Sequence, residues 1–198
     1  EVLREPLESG QIVISRAARQ SEFPARFQLV AAMNPCPCGH LGDRAATCRC
    51  TPERIATYRA RISGPLLDRI DLHVEVPRVS PLALPDAPAG GAARDVARRV
   101  IAARARQLGR QGHSNARLEG AAVVACARAD GTALVLLAKA MRQLALSARA
   151  YHRVLRVART IADLAGEEVV RPEHVAEAIT YRQLDRRSAG ATAEPILI

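Results

Sequence analysis

The stretch PRVSPLALPDAPAGG, residues 77–91, contains four prolines and closes on two adjacent glycines. Proline removes a backbone donor and glycine loosens the chain, so neither a helix nor a sheet runs through it, and it reads as a linker. This break constrains the fold most, because the patterns on its two sides differ in kind. Before it, apolar residues alternate or cluster in short runs bounded by Pro and Gly; after it, they recur at helical spacing and no strand signal occurs. The expected order is an α/β half at 1–78, a linker at 79–92, an all-helical half at 93–186 and a tail at 187–198.

In the first half, EVLREPLESG reads as the end of a helix closed by Gly10. It carries no initiator Met, and the chain is expected to be a fragment of a longer protein. QIVIS (11–15) alternates as a strand does, and the polar run after it predicts a hairpin over 11–26. RFQLVAAM (26–33), between Pro24 and Pro35, predicts an interior strand covered on both faces. Pro52 opens a helix to about residue 63, PLLDR a short helical turn, and DLHVEV (71–76) a further strand. Beyond the linker, helices are expected at 93–109, 118–128, 131–145, 147–165 and 172–184. In 147–165, Tyr151, Val154, Leu155, Ala158, Ile161, Ala162 and Ala165 share one face, and Ser147 can cap its start.

The chain of 198 residues is 48% hydrophobic, enough to bury a core, but only 3% aromatic, which leaves few platforms for stacking bases. Its net charge of +9 favours an anionic partner, nucleic acid or nucleotide, without choosing between them. No run of about 18 apolar residues and no signal segment is present, so a cytoplasmic protein without membrane association is expected.

Four of five cysteines, Cys36, Cys38, Cys48 and Cys50, form C-x-C-x9-C-x-C within a loop spanning 36–50. Four thiolates on a short loop suit tetrahedral Zn²⁺, with His40 able to replace one sulfur; free thiols or disulfides are the alternatives. Cys126, in an Ala/Val helix, reads as a small core residue. Asn34 ends a strand where α/β proteins present polar groups to ligands, although Asn34-Pro35 alone also reads as a plain turn. Arg69 lies between Asp68 and Asp71. Its planar charged fork is suited to a phosphate across a subunit interface, or else to a surface salt bridge with one of those acids. Arg149, Arg153 and Arg156 follow i, i+4, i+7 opposite the apolar stripe, a solvated face or one turned to polyphosphate. There is no G-x-x-x-x-G-K-[ST], and the only lysine, Lys139, lies in LAKAM.

Taken together, EVLREPLESGQIVISRA, FPARFQLVAAMNPCPCG, CRCTPERIATYRARISGPLLDRIDLHVEV and LSARAYHRVLRVARTIADLAG closely resemble the Mg-chelatase-like AAA+ ATPases of the YifB/ComM type, from residue 1 to about 185. The resemblance implies the C-terminal half of an AAA+ core followed by a helical lid. It implies that Asn34 is sensor 1, Arg69 the arginine finger acting on a neighbouring subunit, and Arg149 sensor 2. It further implies ATP and Mg²⁺ as cofactors, held with an N-terminal part carrying the P-loop and Walker B acids, and a homo-oligomeric, hexameric ring that remodels DNA. A motor acting on a protein or tetrapyrrole partner is the rival function. For this stretch alone, the rival is a non-catalytic, zinc-stabilised assembly module.

Overall fold

The computed structural model describes residues 2–16, 19–43, 46–76 and 91–182. The linker expected at 79–92 therefore lies outside the described residues up to position 90, as does the tail at 187–198. The chain divides into two units, Glu1–Ile70 with Glu75–Arg78, and Asp71–Val74 with Val79–Ile198.

In the first unit, α1 (Arg4–Ser9) ends at Gly10, whose φ of 68° is left-handed and lets its N–H reach the Pro6 carbonyl. Strands β1 (Gln11–Arg16) and β2 (Arg19–Pro24) form the expected hairpin, in antiparallel register from Gln11 opposite Pro24 to Arg16 opposite Arg19. Thr51 caps α2 (Pro52–Arg59) by accepting from the Arg54 N–H, and Ser63 caps the single turn α3 (Gly64–Leu67) in the same way. Both helices carry proline in the first turn, where its missing N–H costs nothing.

Two expected strands do not form. Residues 26–33 and 71–76 carry no strand assignment, and Val30 is 85% exposed where burial on both faces was expected. A strand exists only through the ladder of a neighbour, and an interior one needs neighbours on both edges. Among the described residues the sheet consists of β1 and β2 alone, so the apolar pattern of these segments finds nothing to pair with. Leu72, Val74 and Val76 are exposed, and His73 is buried.

The second unit is helical: α4 (Gly91–Gln111), a 3₁₀ turn at Asn115–Arg117, α5 (Gly120–Ala127), α6 (Gly131–Gln143), α7 (Ala148–Ala165) and α8 (Pro172–Thr180). α7 is central and packs against α4, α5 and α8. Its buried face comprises Ala150, Val154, Leu155, Ala158, Arg159, Ala162 and Asp163. Of these, Val154, Leu155, Ala158 and Ala162 meet Leu118, Val123, Leu137, Val170 and Val175 in one core, where a fully buried Leu or Val side chain contributes about 1.5–3 kcal/mol. Ala165, expected on this face, is exposed, and a charged pair takes part of the stripe instead. Cys126 is partly buried against the core. No described helix is long and apolar enough to cross a membrane.

Candidate functional site

The cysteine loop gathers its sulfurs. Cys36 Sγ lies 3.3 Å from Cys38 Sγ and 3.7 Å from Cys48 Sγ, and Cys38 and Cys48 are 3.7 Å apart. All four Sγ atoms fall within 4.8 Å of one another. A tetrahedral Zn²⁺ with bonds of about 2.3 Å requires sulfurs about 3.8 Å apart, so the donor set fits the ion. All four cysteines are free, and separations of 3.3 Å or more are far beyond the S–S bond of about 2.05 Å. His40, the alternative ligand, faces Asp43 at 3.6 Å and stands outside the cluster.

Backbone amides and the thiols themselves divide the protons unevenly. The Cys38 thiol is drawn down to about 6, first by the His40 N–H, then by the Arg49 N–H and the Cys36 thiol. Cys48 rises to about 11, because the Cys50 N–H, which favours its thiolate, is outweighed by burial and the thiols of Cys38 and Cys36. Cys36 is also lowered and Cys50 raised, so the four crowded sulfurs split into two that release protons more readily and two that hold them.

Asn34 stands at the entrance of this loop and is exposed. Its amide overlies Gly39, where a Cβ would stand 3.9 Å away, and Gly39 adopts a φ of 81°. The Pro35 carbonyl beside it accepts from Arg59 Nε at 3.2 Å and Nη2 at 3.1 Å. Arg59 was not singled out by sequence: a lone arginine at a helix end carries no local sign that its fork will span 24 residues back.

Arg69 finds its acid outside its own segment. Its guanidinium is held by Glu8 of α1 in an ion pair and donates to the Pro65 carbonyl at 2.7 Å. The two residues line an open depression of about 600 Å³ with Arg4 and Glu5. Asp71, in the helical unit, is taken instead by Arg153 at 2.6 Å and Arg156 at 3.4 Å. Arg156 also donates to the carbonyls of Ala116 and Leu118, and burial pushes its pKa down. The expectation of a solvated face therefore fails for these two arginines, because an aspartate and backbone carbonyls arrive from other segments. Arg149 occupies the first turn of α7 and is exposed.

Sequence inspection also missed a buried polar cluster on α7. Asp163, 1% exposed, accepts from Arg110 at 2.7 and 2.9 Å and from Asn115 at 2.8 Å, and pairs with Arg159 at 3.1 Å. Burial opposes its charge, but Arg110 and Asn115 outweigh that and hold its carboxyl below the usual range. Arg159 is fully buried and donates to the carbonyls of Ala127, Glu167 and Glu168. Burial lowers the Arg159 pKa while Asp163 raises that of Arg110; arginine starts high enough that both stay charged.

Most of the chain has a counterpart in known sequences. Residues 1–84 match the family described as magnesium chelatase, subunit ChlI, and residues 90–182 match its C-terminal part. The chain belongs to this Mg-chelatase family, in its ComM/YifB branch, as the sequence resemblance implied. Over 187 residues, 94% of its length, it is 44% identical to competence protein ComM of Haemophilus influenzae. It is 43% identical to YifB of Escherichia coli K12 and 45% identical to YifB of Salmonella typhimurium over the same length. The chain spans 36–37% of the length of these relatives.

Proposed function

We propose that the chain is the second half of an AAA+ ATPase core followed by its helical lid, within a longer cytoplasmic protein that couples ATP hydrolysis to DNA remodelling as a hexameric ring. The observation that carries this reading is the 44% identity, over nearly the whole chain, to a protein named for competence. The net charge of +9 supports a polyanionic partner. ATP with Mg²⁺ supplies the phosphoryl group, and the longer protein would hold both, since the P-loop signature does not occur in this sequence.

This chain's residues would do the rest. Asn34, exposed at the end of 26–33, would orient the attacking water. Arg69 would swing to a neighbouring subunit's nucleotide, where a fixed guanidinium stabilises developing charge. To do so it would exchange its present partners, Glu8 and the Pro65 carbonyl, for phosphate. Arg149 would reach nucleotide from α7. A cation in the first turn opposes the helix dipole, so helix stability does not account for it. The four thiolates would take Zn²⁺.

In the longer protein, Arg69→Ala should leave ATP binding near normal and abolish turnover; normal turnover refutes the finger assignment. The name of the matching family favours one other reading, a motor serving a chelatase. DNA-stimulated ATPase activity supports the first, and tetrapyrrole-dependent activity with chelatase partners the second.

A further inference from the structure

The hairpin unit has almost no apolar core: among its described residues only Pro6 and Cys36 are buried. Hydrophobic packing therefore does little to hold Asn34 in one place, and its exposed neighbours Met33 and Pro35 add nothing. Two polar cross-links do converge on the Asn34–Cys36 turn. The sulfur cluster ties Cys36 and Cys38 to Cys48 and Cys50. Cys50 is followed at once by Thr51, the cap of α2, and Arg59, the last residue of α2, reaches back to the Pro35 carbonyl with two N–H groups. The backbone thus leaves Asn34, passes the sulfurs and runs along α2, and the Arg59 side chain returns to the residue beside Asn34. Gly39 sits inside this frame, its N–H bonded to the Cys36 carbonyl at 3.0 Å and its bare Cα beneath the Asn34 amide.

We propose that a zinc-class divalent cation held by Cys36, Cys38, Cys48 and Cys50, together with the Arg59 fork on Pro35, positions the Asn34 amide, so that metal loading sets the competence for hydrolysis. The proposal rests on the reading of Asn34 as the nucleotide-facing amide. The ion enters as the thiols release their protons to solvent, and the four sulfurs then close one side of the frame. Arg59 closes the other. It is a positioning residue, since it touches Pro35 and not the nucleotide. Without the metal, Cys36 and Cys38 lose their tie to α2 and only the Arg59 bonds orient the turn. A lysine at position 59 would offer Pro35 one point donor in place of a planar fork.

The test begins on this chain. It should carry one zinc per molecule by elemental analysis, and Co²⁺ in its place should give the absorption of tetrahedral thiolate coordination. A chain with no metal, and no Co²⁺ thiolate band, overturns the proposal whatever the ATPase does. Chelation should shift the Asn34 side-chain amide resonances in ¹⁵N NMR. Arg59→Gln should shift them too while zinc stays stoichiometric, which separates positioning from loss of the site. Unmoved Asn34 resonances in both cases overturn it. In the longer enzyme, Arg59→Gln should lower kcat on the order of 10-fold with KM unchanged, and Arg59→Lys should restore part of it. If Asn34→Ala abolishes turnover while Arg59→Gln and chelation leave it intact, the coupling proposed here fails. If Asn34→Ala itself turns over normally, the assignment of Asn34 fails and the coupling with it.

Discussion

Replacing Asp163 by alanine should cost the helical unit about 3 kcal/mol, more than the roughly 1 kcal/mol of an average point substitution. The carboxylate is 1% exposed and serves three partners, Arg110, Asn115 and Arg159. Removing one member of a buried ion pair costs about 3–5 kcal/mol, because the partner's charge is left without compensation. Here the lower end applies. Arg159 keeps three carbonyls, Arg110 keeps the Asn115 amide oxygen at 2.8 Å, and Asn115 keeps Thr160 at 3.0 Å. In a domain of this size, about 3 kcal/mol lowers Tm by about 12 °C or more. Thermal melts followed by helical circular dichroism measure it, and a variant melting within about 4 °C of the parent, roughly 1 kcal/mol, refutes the reasoning. Acid titration supplies a second readout. The Asp163 carboxyl is held below its unfolded value, so its stabilisation is fully present above the unfolded pKa of about 3.9 and is lost as pH falls through the folded one. The parent should therefore lose stability below about pH 4 more steeply than Asp163→Ala.

Two further substitutions test local geometry in the same unit. Gly166 ends α7 at a φ of 85°, and a Cβ there would stand 3.2 Å from the Arg106 guanidinium, so Gly166→Ala should cost about 1 kcal/mol, read as a fall in urea midpoint without a change in slope. Ser147 accepts from the Ala150 N–H at 3.2 Å, and Ser147→Ala should cost about 1 kcal/mol in the same assay, with Ser147→Asp restoring it.

Where a local rule suffices, the sequence was readable. The 3.6-residue stripe of α7 placed Val154, Leu155, Ala158 and Ala162 in the core, and the Ser147 cap placed its start. The hairpin followed from strand alternation and a polar turn. The segments 26–33 and 71–76 were misread as formed strands because an apolar pattern records what a strand will bury, not whether a neighbour lies alongside it. Of the named polar residues, the four cysteines do come together, whereas Arg69 and Arg153 found acids that lie 61 and 82 positions away in sequence.

The sequence by itself determined the helices and hairpin, the basic charge, the thiol spacing and the family, since each depends on residue type at short separation. The tertiary structure alone decided that four sulfurs close within 4.8 Å, that Arg59 returns to Pro35, and that Arg159 and Asp163 enter a core stripe. It also decided that Glu8 holds Arg69 while Asp71 goes to Arg153 and Arg156. A charged side chain carries no local mark of its partner: a buried charge is tolerated only where distant segments deliver its counterion and carbonyls, and that delivery is a property of the fold.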